Sequence, residues 1–143
     1  MENEPVVYRT LSLDEEAIAQ DFGLPLVGFS LDYAFTLGAF DQDKLVGIFQ
    51  ASCVGDEADM ISIGVLESYR RQGISRNLFK EFLSLRPEIQ HVLLEVSKEN
   101  VPAISLYLGL GFEKIGVRKN YYRNLKENCF EDAYLMKFSC ENK

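Results

Sequence analysis

Short apolar runs alternate with amphipathic stretches along this chain, and this pattern predicts both strands and helices. The run Ile61–Val65 predicts a buried strand, and the segment after it predicts a helix that stops before Pro87. His91–Ser97 predicts a second buried strand, and a strand that follows its predecessor through a helix is usually parallel to it. The predicted helix carries a core-facing stripe, which consists of Ile74, Leu78, Phe79, Phe82 and Leu83.

The segment before residue 61 predicts antiparallel strands. Pro5–Leu11 has the β-branched and aromatic content of a first strand, and Ser12 or Asp14 is a candidate cap for a short helix after it. Two further strands, Tyr33–Phe40 and Lys44–Val54, are predicted to form a hairpin about a polar turn at 41–43. Strict alternation in the second of them places four residues on one face: Leu45, Gly47, Phe49 and Ala51.

After the second buried strand, Asn100 is a predicted helix cap, with Pro102 in the first turn. The helix is expected to run through Leu108 and to end at two glycines, Gly109 and Gly111. Strands are then predicted at 111–118 and 131–138, with a polar loop between them that reaches residue 128.

The length and charge of the chain limit its class. At 143 residues the sequence predicts a single domain, residues 1–143, with one core. The formal net charge is −7 and the pI is about 4.8, which argues against nucleic acid as the primary partner. An acidic surface attracts a cationic substrate, but it also serves solubility alone, and both interpretations stay open at this point.

Cysteine usage favours a reducing compartment. Cys53, Cys129 and Cys140 are odd in number and widely spaced, so we expect free thiols that act as small hydrophobic residues. No apolar run approaches the length of about 20 residues that a membrane helix needs, and residues 1–4 are unlike a signal peptide. We therefore expect a cytoplasmic protein with no membrane partner. One histidine and three scattered cysteines predict no metal site.

A short basic loop connects the strand at 61–65 to the helix after it. Gly73 and Ser75 lie at the predicted helix start, where main-chain N–H groups have no intrahelical acceptor and can bind phosphate. Arg70, Arg71 and Arg76 add charge that pairs with phosphate oxygens. The loop contains a single glycine, so it matches neither the dinucleotide-binding fingerprint G-x-G-x-x-G nor the P-loop G-x-x-x-x-G-K-[ST]. The alternative is an ordinary β-loop-α connection with solvated arginines.

The six residues 70–75, Arg-Arg-Gln-Gly-Ile-Ser, resemble motif A, [RQ]-x-x-G-x-[GA], of the GNAT superfamily of acyl-CoA N-acyltransferases. This resemblance implies that the loop binds the pyrophosphate of acetyl-CoA. Ser75 stands where the family usually has Gly or Ala.

Three polar side chains in the second half of the chain are candidates for chemistry. Glu95 interrupts an apolar strand, and a carboxylate that loses hydration there is a candidate general base. Alternation places it on the face shared by His91, Leu93 and Ser97; its alternative role is to hydrogen-bond a neighbouring loop. Asn100 and Tyr107, seven residues apart, share one helix face, although they could be only a cap and a core residue.

The combined pattern after the loop resembles the bacterial RimI-type members of that superfamily. It consists of Leu-Glu-Val at 94–96, Asn100, Ala-Ile at 103–104, Leu-Tyr at 106–107, Leu-Gly-Phe at 110–112, Arg-Lys-Asn-Tyr-Tyr at 118–122 and Glu-Asp-Ala at 131–133 with Met136. The resemblance covers roughly residues 58–138. It implies an α/β (α+β) fold with a mixed, mostly antiparallel sheet of six to seven strands flanked by helices.

The same resemblance implies roles for individual residues. Glu95 falls on the general base of the family and Tyr107 on its general acid. The main chain of the strand faces the pantetheine arm and thioester of acetyl-CoA, and the loop binds the pyrophosphate. The implied cofactor-binding positions are Ile63, Gly64, Val65, Arg71, Gln72, Gly73, Ile74, Ser75, Arg76 and Asn100.

The implied activity is direct acetyl transfer from acetyl-CoA to the N-terminal alanine of a ribosomal protein. The chain departs from the RimI type at Leu66–Glu67 and Ser97, and it lacks tryptophan. A small amine acceptor, such as a polyamine or an aminoglycoside-like drug, and a non-catalytic CoA-binding module are the alternatives, and Cys129 as an acyl carrier is a competing mechanism. The sequence leaves the oligomeric state open. Residues 21–32 correspond to the family segment that lines the acceptor site, but resemble it least.

Overall fold

The structure is a computed structural model that describes residues 5–124 and 129–140, with side chains omitted at 122–124 and 129. The chain divides into two compact units, Met1–Ile89 and Gln90–Lys143. The expectation of a single domain stays a prediction. Seven strands and three α-helices are present in the described part.

The first unit contains four antiparallel strands in sequence order, β1 to β4. Two α-helices belong to the same unit, and each follows a short 3-10 turn. The predicted strands and helices of this half are all present, with shifted ends. Their bounds are β1 Val7–Thr10, a 3-10 turn Leu13–Glu15, α1 Glu16–Asp21, β2 Ala34–Asp41, β3 Lys44–Val54, β4 Glu57–Val65, a 3-10 turn Glu67–Tyr69 and α2 Ile74–Leu85.

A bulge in the hairpin corrects the predicted face of Leu45. The pairing jumps from Ala39↔Gly47 to Phe40↔Leu45, so residue 46 is the extra residue. A side chain on Gly47 would meet Ile74 of α2, whereas Leu45 lies against Gly38 on the opposite face. The prediction that Leu45 and Gly47 share a face was wrong, because a bulge reverses the alternation of the strand.

The core of the first unit lies between α2 and the sheet. The ring of Phe82 packs 4.7 Å from Phe49 and 5.5 Å from Phe35, centroid to centroid. Ile74, Leu78, Phe79 and Phe82 are buried, as the helical spacing predicted, while Leu83 is half-buried. The helix ends at Leu85, two residues before Pro87, which confirms the expected stop.

The second unit contains β5 His91–Ser97, α3 Val101–Leu110, β6 Glu113–Asn124 and β7 Cys129–Ser139. β7 lies between β5 and β6 and is antiparallel to both. α3 continues to Leu110, so Gly109 lies inside the helix, while Gly111 adopts φ 105° and ends it. β6 extends past Arg118 to Asn124, and the rest of the predicted polar loop, residues 125–128, lies outside the described residues.

The two faces of β5 differ in burial as alternation predicted. Val92, Leu94 and Val96 are buried, whereas the face that carries Glu95 is half-buried. In the described parts of the chain, no helix is both long and apolar enough to cross a bilayer.

Candidate active site

The loop before α2 has the backbone of an anion-binding helix start. Gly73 precedes the helix with φ 79°, and no side chain caps this end. The first intrahelical bond runs from Asn77 N to Gly73 O at 3.0 Å, so the amides of Ile74 and Ser75 precede it. A Cβ built on Gly73 would meet no atom within 4 Å, so the space beside this residue is open.

The rest of the loop is tied to the strands around it. Leu66 N donates to Val46 O at 2.9 Å. The hydroxyl of Tyr69 donates to Asp41 Oδ2 at 2.6 Å, and this hydrogen bond raises the pKa of Tyr69. Arg70 Nε donates to Val65 O at 3.2 Å, which turns Arg70 toward β4.

The other cationic positions of the loop are open to solvent. Arg71 and Arg76 are exposed, as is the neutral Gln72 between them, and Arg71 adopts a left-handed φ of 65°. The two guanidinium groups are therefore accessible to an anionic ligand at the start of α2.

The end of β4 holds the three strand positions that were predicted to contact the cofactor. Ile63, Gly64 and Val65 are half-buried and pair with Phe49, Ile48 and Gly47 of β3. Just before them, the register passes from Gln50↔Ser62 to Ala51↔Met60, so residue 61 forms a bulge. A bulge bends its strand and increases the local twist.

Sequence reasoning missed the way in which β3 and β4 hold residues 24–29, here called the 24–29 segment. Gln50 is fully buried; its carbonyl accepts from Val27 N at 2.8 Å and its amide donates to Val27 O at 3.0 Å. The same amide lies 3.0 Å from Thr36 Oγ1. Ser62 Oγ donates to Pro25 O. The side chain of Gln50 thus pairs with the main chain of the segment as a strand would.

Two further contacts complete this anchor. Glu16 Oε1 accepts from Phe29 N at 2.8 Å, and Leu24 lies so close to Gly64 that a Cβ there would come within 2.8 Å. In the described part of the chain, the buried polar residues are Thr36, Gln50 and Ser62, and all three belong to the anchor. The sequence did contain a signal for this anchor, because a polar residue inside a buried strand requires a hydrogen-bond partner.

Glu95 lies on the half-buried face of the second unit. Its side chain keeps 27% of its exposure, so it is less dehydrated than the apolar strand predicted. Glu95 Oε1 lies 3.1 Å from Arg118 Nη2 of β6. On the same face, Ser97 Oγ donates to Glu131 Oε1 at 2.7 Å.

The start of α3 confirms the predicted cap. Asn100 Oδ1 accepts from Ala103 N at 3.3 Å. Tyr107, two turns further on, is half-buried, with its ring 6.0 Å from that of Phe112. Whether Asn100 and Tyr107 contact a cofactor stays a prediction.

The remaining candidates for chemistry have other surroundings. His91 opens β5, and its Nδ1 is buried without a hydrogen-bond partner in the described part of the chain. Cys53 and Cys140 are buried, and burial raises the pKa of Cys53, which keeps that thiol protonated. The side chain of Cys129 lies outside the described residues. Within 5–124 and 129–140, no three His, Cys, Asp or Glu residues form a group that could hold a metal ion.

A family model now gives the class of the protein. Residues 4–112 match the acetyltransferase (GNAT) family, and the chain belongs to that family. The expected membership of the GNAT superfamily, and the fold expected from it, are confirmed.

Individual relatives show which members of the family this chain resembles. The chain is 32% identical to the N-alpha-acetyltransferase RimI of Mycobacterium tuberculosis over 124 residues, which cover 80% of this chain and 77% of the relative. It is 34% identical to the [ribosomal protein bS18]-alanine N-acetyltransferase of Escherichia coli over 95 residues, 65% of this chain and 63% of that protein. The resemblance to RimI-type proteins is thereby confirmed.

Solved structures share the fold. The crystal structure of the ribosomal-protein-S18-alanine N-acetyltransferase from Escherichia coli matches with a TM-score of 0.78 at 24% identity, over 97% of this chain and 99% of that chain. Against the first curated relatives, from Mycobacterium leprae and two archaea, the chain spans only 41 to 45% of their length.

Proposed function

We propose that this protein transfers the acetyl group of acetyl-CoA to an amine, with the N-terminal α-amine of a peptide as its acceptor and an alanine-starting ribosomal protein as the leading candidate. The observation that carries the proposal is the uncapped start of α2 behind Gly73 in a chain of the GNAT family. Such a helix start favours a phosphate-bearing ligand.

The residues present fit acetyl-CoA. The open space beside Gly73 admits a diphosphate next to the amides of Ile74 and Ser75, while Arg71 and Arg76 add positive charge. The main chain of residues 63–65 would hold the pantetheine arm, and the amide of Asn100 a further part of the molecule. When bound, acetyl-CoA supplies a thioester that an amine can attack.

Glu95 and Tyr107 are assigned the two proton transfers. An N-terminal amine has an ordinary pKa of about 7.7–8.0, against about 10.4 for lysine, so a carboxylate acting directly or through water suffices to remove its proton. The amine nitrogen forms a bond to the acetyl carbon, the carbon–sulfur bond breaks, and Tyr107 protonates the departing thiolate. Amides near Val65 stabilise the intermediate oxyanion. No acyl-enzyme is required.

Two observations support a cationic peptide acceptor, one on the chain itself and one on a relative. The net charge of −7 favours a basic partner, and the relative from Escherichia coli carries the name of an enzyme that acts on an alanine of a ribosomal protein. The free thiols of Cys53 and Cys140 fit a reducing cytoplasm, where we place the reaction.

A direct assay tests the acceptor. The purified chain is incubated with labelled acetyl-CoA and one of three acceptors: a basic peptide that begins with alanine, the same peptide with a blocked N-terminus, or a polyamine. We expect label only in the unblocked peptide. Label in the polyamine alone would contradict the peptide assignment, and label in the blocked peptide would indicate lysine acetylation.

Two variants test the catalytic assignment. Glu95→Gln and Tyr107→Phe should each lower kcat by about 100-fold, the scale of a lost general base or acid. Calorimetric titration with CoA serves as the control, since neither change should alter cofactor affinity by more than about twofold. Wild-type turnover in both variants, with CoA still bound, would identify a binding module or a different set of catalytic groups.

A further inference from the structure

The ion pair between Arg118 and Glu95 spans three strands of the second unit. Glu95 lies in β5 and Arg118 in β6, with β7 between them. Arg118 pairs with Ala133 of β7, which pairs in turn with Ser97. The guanidinium therefore crosses β7 to reach Glu95, two residues from Ser97 along β5. Ala133 is fully buried and has the small side chain that this crossing needs.

A bulge in β6 follows Arg118. Between Arg118↔Ala133 and Tyr122↔Glu131, three residues of β6 oppose Asp132 alone. Asn120 has a left-handed φ of 54° there, and its N–H donates to Asp132 Oδ1 at 3.0 Å.

The bulge also brings an aromatic ring to the guanidinium. In a regular strand, residues 118 and 121 would point to opposite faces. Here the ring of Tyr121 lies 4.6 Å from Arg118 Cζ, within the range of a cation–π contact. The ring restricts the positions open to the guanidinium.

We propose that Arg118 is a positioning residue: it holds the Glu95 carboxylate in the orientation needed to receive the proton of the acceptor amine. This inference rests on the proposed function, because it requires Glu95 to be the general base. Proton transfer depends on placement within hydrogen-bond reach, and a displacement of about 1 Å can cost up to about 100-fold in rate. The 3.1 Å contact with a guanidinium that also lies over the Tyr121 ring limits the rotamers open to Glu95.

Arg118→Met tests the inference by removing the charge at similar length. We expect kcat to fall about 10-fold while the KM for acetyl-CoA stays within about twofold. Arg118→Lys should recover part of the loss, because it keeps the charge but not the planar guanidinium. In a Glu95→Gln background, Arg118→Met should cause no further fall, as expected for residues that act as a unit.

Arg86→Met is the matched control. Arg86 also pairs with a glutamate, Glu88, at 2.7 Å, and its Cζ also lies over a ring, 5.4 Å from the centroid of Phe35. This variant should leave kcat unchanged. Thermal unfolding of each variant separates a loss of stability from a loss of turnover.

The outcomes distinguish the inference from the function beneath it. If Glu95→Gln lowers kcat and Arg118→Met does not, the positioning role is wrong while the proposed function survives. An equal loss of kcat from Arg118→Met in the wild-type and in the Glu95→Gln background would also overturn the positioning role. If the unmodified chain transfers no acetyl group, or if Glu95→Gln turns over normally, the proposed function fails and the role of Arg118 fails with it.

Discussion

The two units supply different kinds of candidate site. In the first unit, the proposed anion site is made of main chain: the amides behind Gly73 depend on backbone angles rather than on the identity of neighbouring side chains. In the second unit, the candidate chemistry is made of side chains that come from separate strands, as Glu95 and Arg118 do.

This difference predicts two kinds of sensitivity. A main-chain site fails when the backbone is strained or when the space before it is filled, and it tolerates many other changes. A side-chain site fails when a functional group is removed or re-aimed, even if the fold persists. The following predictions test that contrast, from the largest expected effect to the smallest.

Gly73→Val should weaken CoA binding about 10- to 100-fold. A left-handed backbone costs a residue with a Cβ about 1–2 kcal/mol, and the new side chain would also occupy the space before the helix. Gly73→Asn is the matched variant: asparagine tolerates this conformation better, so thermal stability should persist while affinity still falls. Calorimetric titration with CoA gives the affinity. Unchanged binding by the valine variant would place the diphosphate elsewhere.

Gln50→Leu should lower the free energy of unfolding by about 1–3 kcal/mol, because the N–H and carbonyl of Val27 would lose their buried partners. The first unit would then depend on the side chain of Gln50 to hold the 24–29 segment, although its proposed anion site consists of main-chain amides. Thr36→Ser keeps the hydroxyl that Gln50 contacts and should cost about 1 kcal/mol or less. Urea denaturation measures both, and a leucine variant as stable as wild type would contradict the anchor.

Asn120→Val should lower kcat about fivefold and leave CoA affinity unchanged. The branched residue disfavours the left-handed backbone of the bulge by about 1–2 kcal/mol, which moves Tyr121 from Arg118. Asn120→Gly keeps that backbone accessible and should retain most activity. Steady-state kinetics and CoA titration report the two quantities. A loss of CoA affinity instead would contradict the assignment of cofactor binding to the first unit and of side-chain chemistry to the second.

Ser75→Ala should change CoA affinity by less than about twofold, because main-chain donors do not depend on the side chain that follows them. Titration with CoA checks this. A tenfold loss would mean that the Ser75 hydroxyl itself contacts the ligand.

The smallest effect concerns acid stability near the N-terminus. The hydrogen bond from Arg9, at 2.7 Å, and that from Ser12 N lower the pKa of Glu15 from 4.5 to about 2. A depressed carboxylate pKa contributes stability that is complete above about pH 4.5 and is lost as the pH falls toward 2. Glu15→Gln should therefore lower Tm slightly at pH 7 and match wild type near pH 2, since exposed pairs contribute little. Parallel melting curves from pH 2 to 7 would detect any other trend.

Local features of the fold were predictable from the sequence, and contacts between distant residues were not. The stripe of α2 and the cap at Asn100 depend on residues within one or two turns, so both were predicted. The bulges at 46, 61 and 119–121 depend on the partner strand, and periodicity alone cannot place them.

The candidate site shows the same division. The backbone at Gly73 followed from a six-residue motif, whereas the 24–29 segment is held by Gln50 and Ser62, which lie 23 and 37 residues from their partners. The pair of Arg118 and Glu95 was equally hidden, since it arises only when β7, the last strand in sequence, inserts between β5 and β6.

The small residue at 133 has a consequence for the descent of this protein. Because Arg118 reaches Glu95 over Ala133, a lineage that acquires a bulky side chain at 133 would have no room for that arginine. A homologue with a bulky residue at 133 should therefore lack an arginine at 118, whereas a small residue at 133 is compatible with either state.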